Sequence, residues 1–183
     1  MRIAFLMAPE GVEQIELTEP WQAVTDQGHE PVLMSTEPGQ IQAFNHLDKA
    51  DVFPVQVVAR EAAADTFDGL VLPGGVANPD LLRTDEDAVS FVRDFFGLGR
   101  PVAAICHAPW TLVEADVVSG RTLTSWPSLR TDIRNAGGAW VDEEVSVCGH
   151  GPNTLVTSRR PDDLKAFCAA FLTEFAKARK DSR

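Results

Sequence analysis

The stretch Arg100-Pro-Val-Ala-Ala-Ile-Cys-His-Ala-Pro-Trp110 constrains this chain more than any other. A short apolar run, Val102 to Ile105, ends abruptly at Cys106, and His107-Ala108-Pro109 then opens a helical segment. The pattern predicts a buried strand turning sharply into a helix with a thiol at the apex. A side chain at such a turn is pushed clear of the sheet. The first N–H groups and the dipole of the helix lie beside it, which favours thiolate over thiol. It is the cysteine counterpart of the strained elbow that carries serine in other α/β enzymes. A cysteine that only fills a core belongs mid-element, where it behaves as a small hydrophobe.

The rest of the chain alternates strand and helix from end to end, which predicts an α/β fold with a mainly parallel sheet. Ile3–Ala8 reads as the first strand, Glu13–Gln27 as a helix closed by Gly28, and Pro31–Ser35 as the second strand. His29 sits where that strand begins. The β-prone runs 41–44 and 52–58, separated by Asn45-His46-Leu47-Asp48, suggest a hairpin. Phe67–Leu72 is an apolar strand that stops at Pro73-Gly74-Gly75, and Asp85–Phe96 is a helix leading to the strand before Cys106. A helix over 107–115, a short strand at 122–124, a helix over 127–135 and strands at 145–148 and 154–158 follow. The last helix is the clearest. Pro161 with Asp162 and Asp163 makes its first turn, and Leu164, Phe167, Cys168, Phe171, Leu172 and Phe175 recur as one amphipathic stripe, with Lys177, Arg179 and Lys180 at its basic end. Cys168 on that stripe is a packing residue. No repeat, low-complexity tract or linker interrupts the 183 residues, so one domain over 1–183 is expected.

A formal net charge of −11 excludes nucleic acid as a partner, because binding it needs clustered Lys and Arg to displace counterions. No apolar run is long enough to span a bilayer, and that at 3–8 is too short for a secretory signal. Three cysteines, at 106, 148 and 168, form neither a CxxC pair nor an even framework, so a reducing cytoplasm is expected. The four histidines are scattered, and His46 and His150 read as loop residues; neither a metal nor a cofactor is predicted.

In an open parallel sheet, ligands gather beyond the carboxyl ends of the strands. Three such ends carry suggestive residues: Pro9 to Glu16, Gly74 to Asp80, and Cys106-His107. Adjacent glycines let backbone approach closely and leave N–H groups free. The N–H groups of Gly75 and His107 are therefore candidates for holding an oxyanion, with Gly74 lining the pocket. Pro-Gly-Gly alone would be only a turn.

Pro73-Gly74-Gly75, Ala104-Ile105-Cys106-His107-Ala108-Pro109, Gly120-Arg121, Asn135-Ala136-Gly137 and Thr157-Ser158-Arg159 resemble, in order and over essentially the whole chain, the landmarks of the ThiJ/PfpI superfamily. Its PfpI-type branch covers stress proteins and intracellular cysteine proteases, with the Parkinson-associated protein deglycase more distant. The resemblance implies a flavodoxin-like three-layer sandwich with a reactive elbow cysteine, matched by Cys106, and a carboxylic acid touching its sulfur. Val12-Glu13-Gln14-Ile15-Glu16-Leu17 matches the segment that supplies this acid, at Glu16. It also implies an acid after the Pro-Gly-Gly turn paired with the histidine that follows the cysteine. That position is Asp80, one methylene shorter than the glutamate of some members, and its pairing with His107 is open between one chain and two. Ala108 stands where the family often has glycine, and the Gly149–Asn153 turn looks longer than usual. Trp126 falls where the family places aromatic or polar residues near the site, leaving it either a pocket wall or a core residue. Glutamine amidotransferases share the fold and elbow, but their His-x-Glu is missing: the one later histidine, His150, precedes Gly151-Pro152.

Two touching anions repel, so Glu16 beside Cys106 must keep a proton on one of them. The expectation is a thiol pKa below the free value and a Glu16 pKa above its own, the protonated acid donating to sulfur. What the resemblance then implies is a cytosolic stress protein acting on reactive-carbonyl damage, a deglycase or glyoxalase-like enzyme. Its substrate would be a small carbonyl compound or a protein adduct of one. A peptidase using Cys106, His107 and Asp80 is the second reading. A non-catalytic oxidant sensor or holdase, whose sulfur climbs the oxidation ladder, is the third. A homo-oligomer is expected, a dimer for the stress enzyme and a hexamer for the peptidase.

Overall fold

The computed structural model describes residues 1–181. In chain order the elements are β1 (Arg2–Met7), β2 (Glu10–Glu13), α1 (Gln14–Asp26), β3 (Glu30–Ser35), β4 (Gln40–Asn45), β5 (Asp48–Pro54), β6 (Val57–Val58), β7 (Gly69–Leu72), α2 (Ala77–Leu82), α3 (Glu86–Gly97) and β8 (Val102–Ile105). They continue with α4 (Pro109–Glu114), β9 (Thr122–Leu123), α5 (Arg130–Asn135), β10 (Ala139–Trp140), β11 (Val145–Cys148), β12 (Leu155–Ser158) and α6 (Leu164–Asp181).

Seven strands form the central sheet in the order β11-β12-β8-β7-β1-β3-β6, all parallel except the β11–β12 pair. Alternation of side chains along each strand feeds two apolar layers. Ala4, Leu6, Leu70, Leu72, Val102 and Ala104 face α3, α4 and α5 on one side. Ile3, Phe5, Met7, Val71, Ala103 and Ile105 face α1 and α6 on the other, where Phe167, Phe171 and Phe175 form a tilted aromatic row. Both faces being covered explains why these strands read as continuous apolar runs. The result is the expected flavodoxin-like α/β sandwich of three layers. After β1 the chain winds outward through β3 and β6; after β7 it winds the other way through β8 and β12. The strand order thus reverses between β1 and β7, the switch point at whose carboxyl ends the crevice of such sheets lies.

α1 ends as the sequence predicts. Gly28 adopts φ +69°, its N–H bonds the Thr25 carbonyl at 2.9 Å, and the His29 N–H bonds that of Val24 at 3.1 Å, a Schellman cap. The expected hairpin is β4–β5, turned at His46-Leu47 with His46 at φ 58°. β5 starts at Asp48, earlier than the apolar run indicates, and Val57–Val58 leaves it to join the edge of the main sheet. Residues 10–12, expected between the first strand and the helix, and Glu13, expected to open that helix, pair with β4 as β2, and residues 77–82 form a short helix. Pro161–Asp163 makes a 3-10 turn, with the α-helix starting at Leu164. No described helix is long and apolar enough to cross a membrane.

Candidate active site

The three strand ends singled out in the sequence converge at the crevice. Cys106, directly after β8, has φ +63°, a left-handed conformation that L residues with a side chain adopt at a cost. Its N–H donates to the Ser158 carbonyl (3.1 Å) and its carbonyl accepts from the Trp126 N–H (2.8 Å). The elbow is therefore tied on both sides to neighbouring segments, which hold the strained turn. The helix begins at Pro109, two residues later than expected, leaving 106–108 as the turn itself.

Glu16 lies in the first turn of α1 and is completely buried. Its Oε2 accepts the Gly74 N–H at 2.9 Å. Oε1 has no hydrogen-bond partner, and the carboxyl lies across Gly74 from Cys106, whose thiol influences its titration. Gly74 sits in the wedge between them, where any side chain would collide with the Glu16 carboxyl and lie 2.6 Å from Cys106 Cβ. Gly75, at φ +86°, is pressed against Gly11 and Glu13, with no room for a Cβ. The backbone N–H groups of Gly75 and His107 favour the ionised form of the Cys106 sulfur. His107 places Nδ1 3.2 Å from that sulfur.

Burial drives the Glu16 carboxyl up from its ordinary value to about 8, more than the Gly74 and Gly75 N–H groups pull it down. At neutral pH this acid carries its proton. The thiol departs from the sequence expectation. Cys106 is only 6% exposed, and burial is the largest influence on it; it pushes the thiol up, and an ionised Glu16 pushes it further. The N–H groups of Gly75 and His107 act in the opposite direction but do not prevail. The helix-start argument weighed the dipole and left out the loss of water. The resting sulfur is thus a covered thiol, not an exposed thiolate. With the thiol as donor, His107 Nδ1 accepts and the imidazole carries its own hydrogen on Nε2. Burial also lowers His107 to about 4, so the ring is neutral.

Within one chain Asp80 pairs away from His107. It sits on the exposed face of α2 and its carboxylate pairs with Arg83 at 2.8 Å, one helical turn on, rather than with His107. A salt bridge three residues away on the same helix is the nearer partner. Trp126 is 38% exposed, and its indole stacks on the His107 ring (centroids 5.5 Å, 22° between planes).

Asn78 is the residue that sequence reasoning missed. Fully buried, it accepts the Ala8 N–H at 2.7 Å and donates to the carbonyls of Pro73 (2.9 Å) and Gly74 (3.0 Å). It pins the Gly74-Gly75 turn to the end of β1, and so sets the Glu16–Cys106 contact. An asparagine before proline reads as turn chemistry, and no periodicity marks it as buried. Among the described residues no group of three His, Cys, Asp or Glu side chains is placed to hold a metal ion. All three cysteines are free.

Residues 1–174 match the model of the DJ-1/PfpI family. "Deglycase PfpI" of Pyrococcus furiosus is 41% identical over 172 residues, covering 94% of this chain and 98% of the relative. "General stress protein 18" of Bacillus subtilis is 40% identical over 155 residues, covering 85% and 87%. In the solved structure of a two-domain Anabaena variabilis protein with DJ-1/ThiJ/PfpI-like and ferritin-like domains, 50% of that chain superimposes on 96% of this one, at a TM-score of 0.87 and 30% identity. From the strained cysteine at the switch point to the match along nearly its full length, this chain belongs to the DJ-1/PfpI family.

Proposed function

We propose that the protein is a cytoplasmic stress-response enzyme that clears reactive-carbonyl damage, a deglycase or glyoxalase-type activity with Cys106 as nucleophile. The observation that carries the reading is a completely buried Glu16 beside a strained elbow cysteine, with the His107 Nδ1 3.2 Å from its sulfur. A carboxyl group that titrates near neutrality is suited to giving and taking protons within one cycle.

For methylglyoxal the steps balance as follows. Cys106 gives its proton to His107 Nδ1 as sulfur bonds to the aldehyde carbon and the C=O electron pair moves to oxygen. The Gly75 and His107 N–H groups steady that oxygen, which then takes the Glu16 proton to give a hemithioacetal. The Glu16 carboxylate carries the C–H proton to the neighbouring carbon while the hydroxyl proton crosses to the second oxygen, leaving a lactoyl thioester. Water adds to the thioester and gives a proton to Glu16. The C–S bond breaks, sulfur recovers its proton from His107, and lactic acid leaves. With an aminocarbinol adduct the first step instead forms C–S and breaks C–N; the thiol proton goes to His107 Nδ1, the Glu16 proton leaves on the amine, and the later steps are the same. Because the thiol is covered, its anion exists only as the C–S bond forms, which favours a catalyst over an oxidant sensor. The peptidase reading lacks its orienting acid within the chain, since Asp80 is committed to Arg83.

Lactate formation from methylglyoxal, and amine release from its adducts, tests the proposal. Cys106→Ser is expected to lower both by about 10³-fold or more. Turnover that survives this substitution removes Cys106 from the chemistry.

A further inference from the structure

Glu16 stands where a helix works against its proton. In the first turn of α1 the helix N-terminus favours a carboxylate, and the Gly74 N–H at 2.9 Å does the same. Three residues earlier, one helical turn away, stands a second acid, Glu13. Its side chain is only 12% exposed. The two acids meet on one residue: the Glu13 N–H donates to the Gly74 carbonyl (3.4 Å), while the Gly74 N–H donates to Glu16. The β4–β5 hairpin holds Glu13 from the other side. His46 at the turn donates its backbone N–H to Glu13 Oε2 at 3.0 Å, and its ring Nδ1 lies 3.8 Å from the same oxygen. Gln14, the next residue, exchanges two hydrogen bonds with Asp51 of β5. Its Nε2–H donates to Oδ2 at 2.9 Å, and its Oε1 accepts the Asp51 N–H at 2.8 Å.

We infer that Glu13 is the positioning residue of Glu16: the hairpin turn holds this second carboxylate beside the buried acid, and its negative charge keeps the proton there. Two carboxyl groups one helical turn apart resist carrying two charges, and the more deeply buried one yields. Glu16, completely buried, is that one, while Glu13 reaches toward solvent beside His46. The charge of Glu13 acts upward on Glu16, against the pull of the Gly74 N–H. Within the chain, the other titratable groups around the pair are the Cys106 thiol after β8, on the buried side, and His46 of the turn. Lys49 of β5 stands one strand beyond Phe44, the register partner of Glu13. Asp51 and Asp80 are engaged by Gln14 and Arg83. A hairpin some thirty residues from Glu16 in sequence thus bears on the proton that the chemistry uses.

The inference rests on the proposed role of Glu16 as proton donor, but its test reads the acid apart from turnover. Infrared spectroscopy of the full chain follows the C=O band of the protonated Glu16 carboxyl, identified by its loss in Glu16→Gln, as pH is raised. Wild type is expected to lose the band with a midpoint of about 8. Glu13→Gln keeps an acceptor for the His46 N–H but no charge, and should lower the midpoint by about half a unit or more. Glu13→Asp keeps the charge and should stay closer to wild type. Gln14→Ala, which changes no charge, should loosen the hairpin and lower the midpoint by less than Glu13→Gln does. In Glu13→Gln the high-pH fall of lactate formation should move down with the band while KM stays nearly unchanged, which a residue serving only folding would not produce. An unmoved midpoint in Glu13→Gln or Gln14→Ala, or an equal fall in Glu13→Asp, overturns the inference. A protein that forms no lactate yet shows the shifted band keeps the inference and loses the proposed activity; lactate formation with an unmoved band does the opposite.

Discussion

At the scale of single residues, the site depends on what is absent as much as on what is present. Gly74 has no side chain because the space a Cβ would fill already holds the Glu16 carboxyl and Cys106 Cβ, with the Ile105 carbonyl 2.8 Å away. Two of these neighbours are backbone or elbow atoms and cannot swing aside. Gly74→Ala is expected to cost about 3 kcal/mol in denaturant unfolding, the upper range for overpacking, and to separate Glu16 from the thiol. Alkylation of Cys106 in that variant should lose its dependence on residue 16. The sequence shows both glycines and Cys106 plainly, since a strand ending in Pro-Gly-Gly or Cys-His is a local signal. Glu16 is visible only through family resemblance, because an acid in a first helical turn is ordinarily a surface residue. Asp80 matches the family in position, and within the chain its charge is paired with Arg83 three residues on.

Elements whose ends are written in the sequence fold where the pattern places them. The Gly28 cap, the Cys106 elbow and the phenylalanine stripe of α6 each announce themselves through local chemistry or a 3.6-residue period. β2 and α2 do not. β2 spans four residues and exists through pairing with β4 some thirty positions later, and α2 has too few residues for a period to show. Nothing blocks a Cβ at Gly28, so only its backbone conformation is at stake. Gly28→Ala should therefore destabilise by about 1 kcal/mol, the cost of holding an L residue left-handed, and leave the active site unchanged. Chemical denaturation checks the first part, and Cys106 alkylation the second.

For the whole molecule, the buried acid links catalysis to stability. The folded chain holds the Glu16 proton up to about pH 8, while the unfolded chain releases it near 4.5. Between those values the folded state binds more protons, so its stability falls as pH rises. His107 works oppositely but lower down: its folded value near 4 lies below the ordinary 6.5, so its contribution rises to pH 6.5 and is then complete. The interval from 6.5 to 8 isolates Glu16. Across it wild type should lose about 2 kcal/mol in urea unfolding, and Glu16→Gln much less, because glutamine keeps an acceptor for Gly74 and has no proton to release. The site depends on where that proton resides, and infrared difference spectroscopy between wild type and Glu16→Gln reads it directly. At pH 7 wild type should show the C=O stretch of a protonated carboxylic acid that the variant lacks, fading only as pH rises through about 8. A wild type with no such band at pH 7, its carboxyl titrating in the ordinary range near 4.5, would contradict the account.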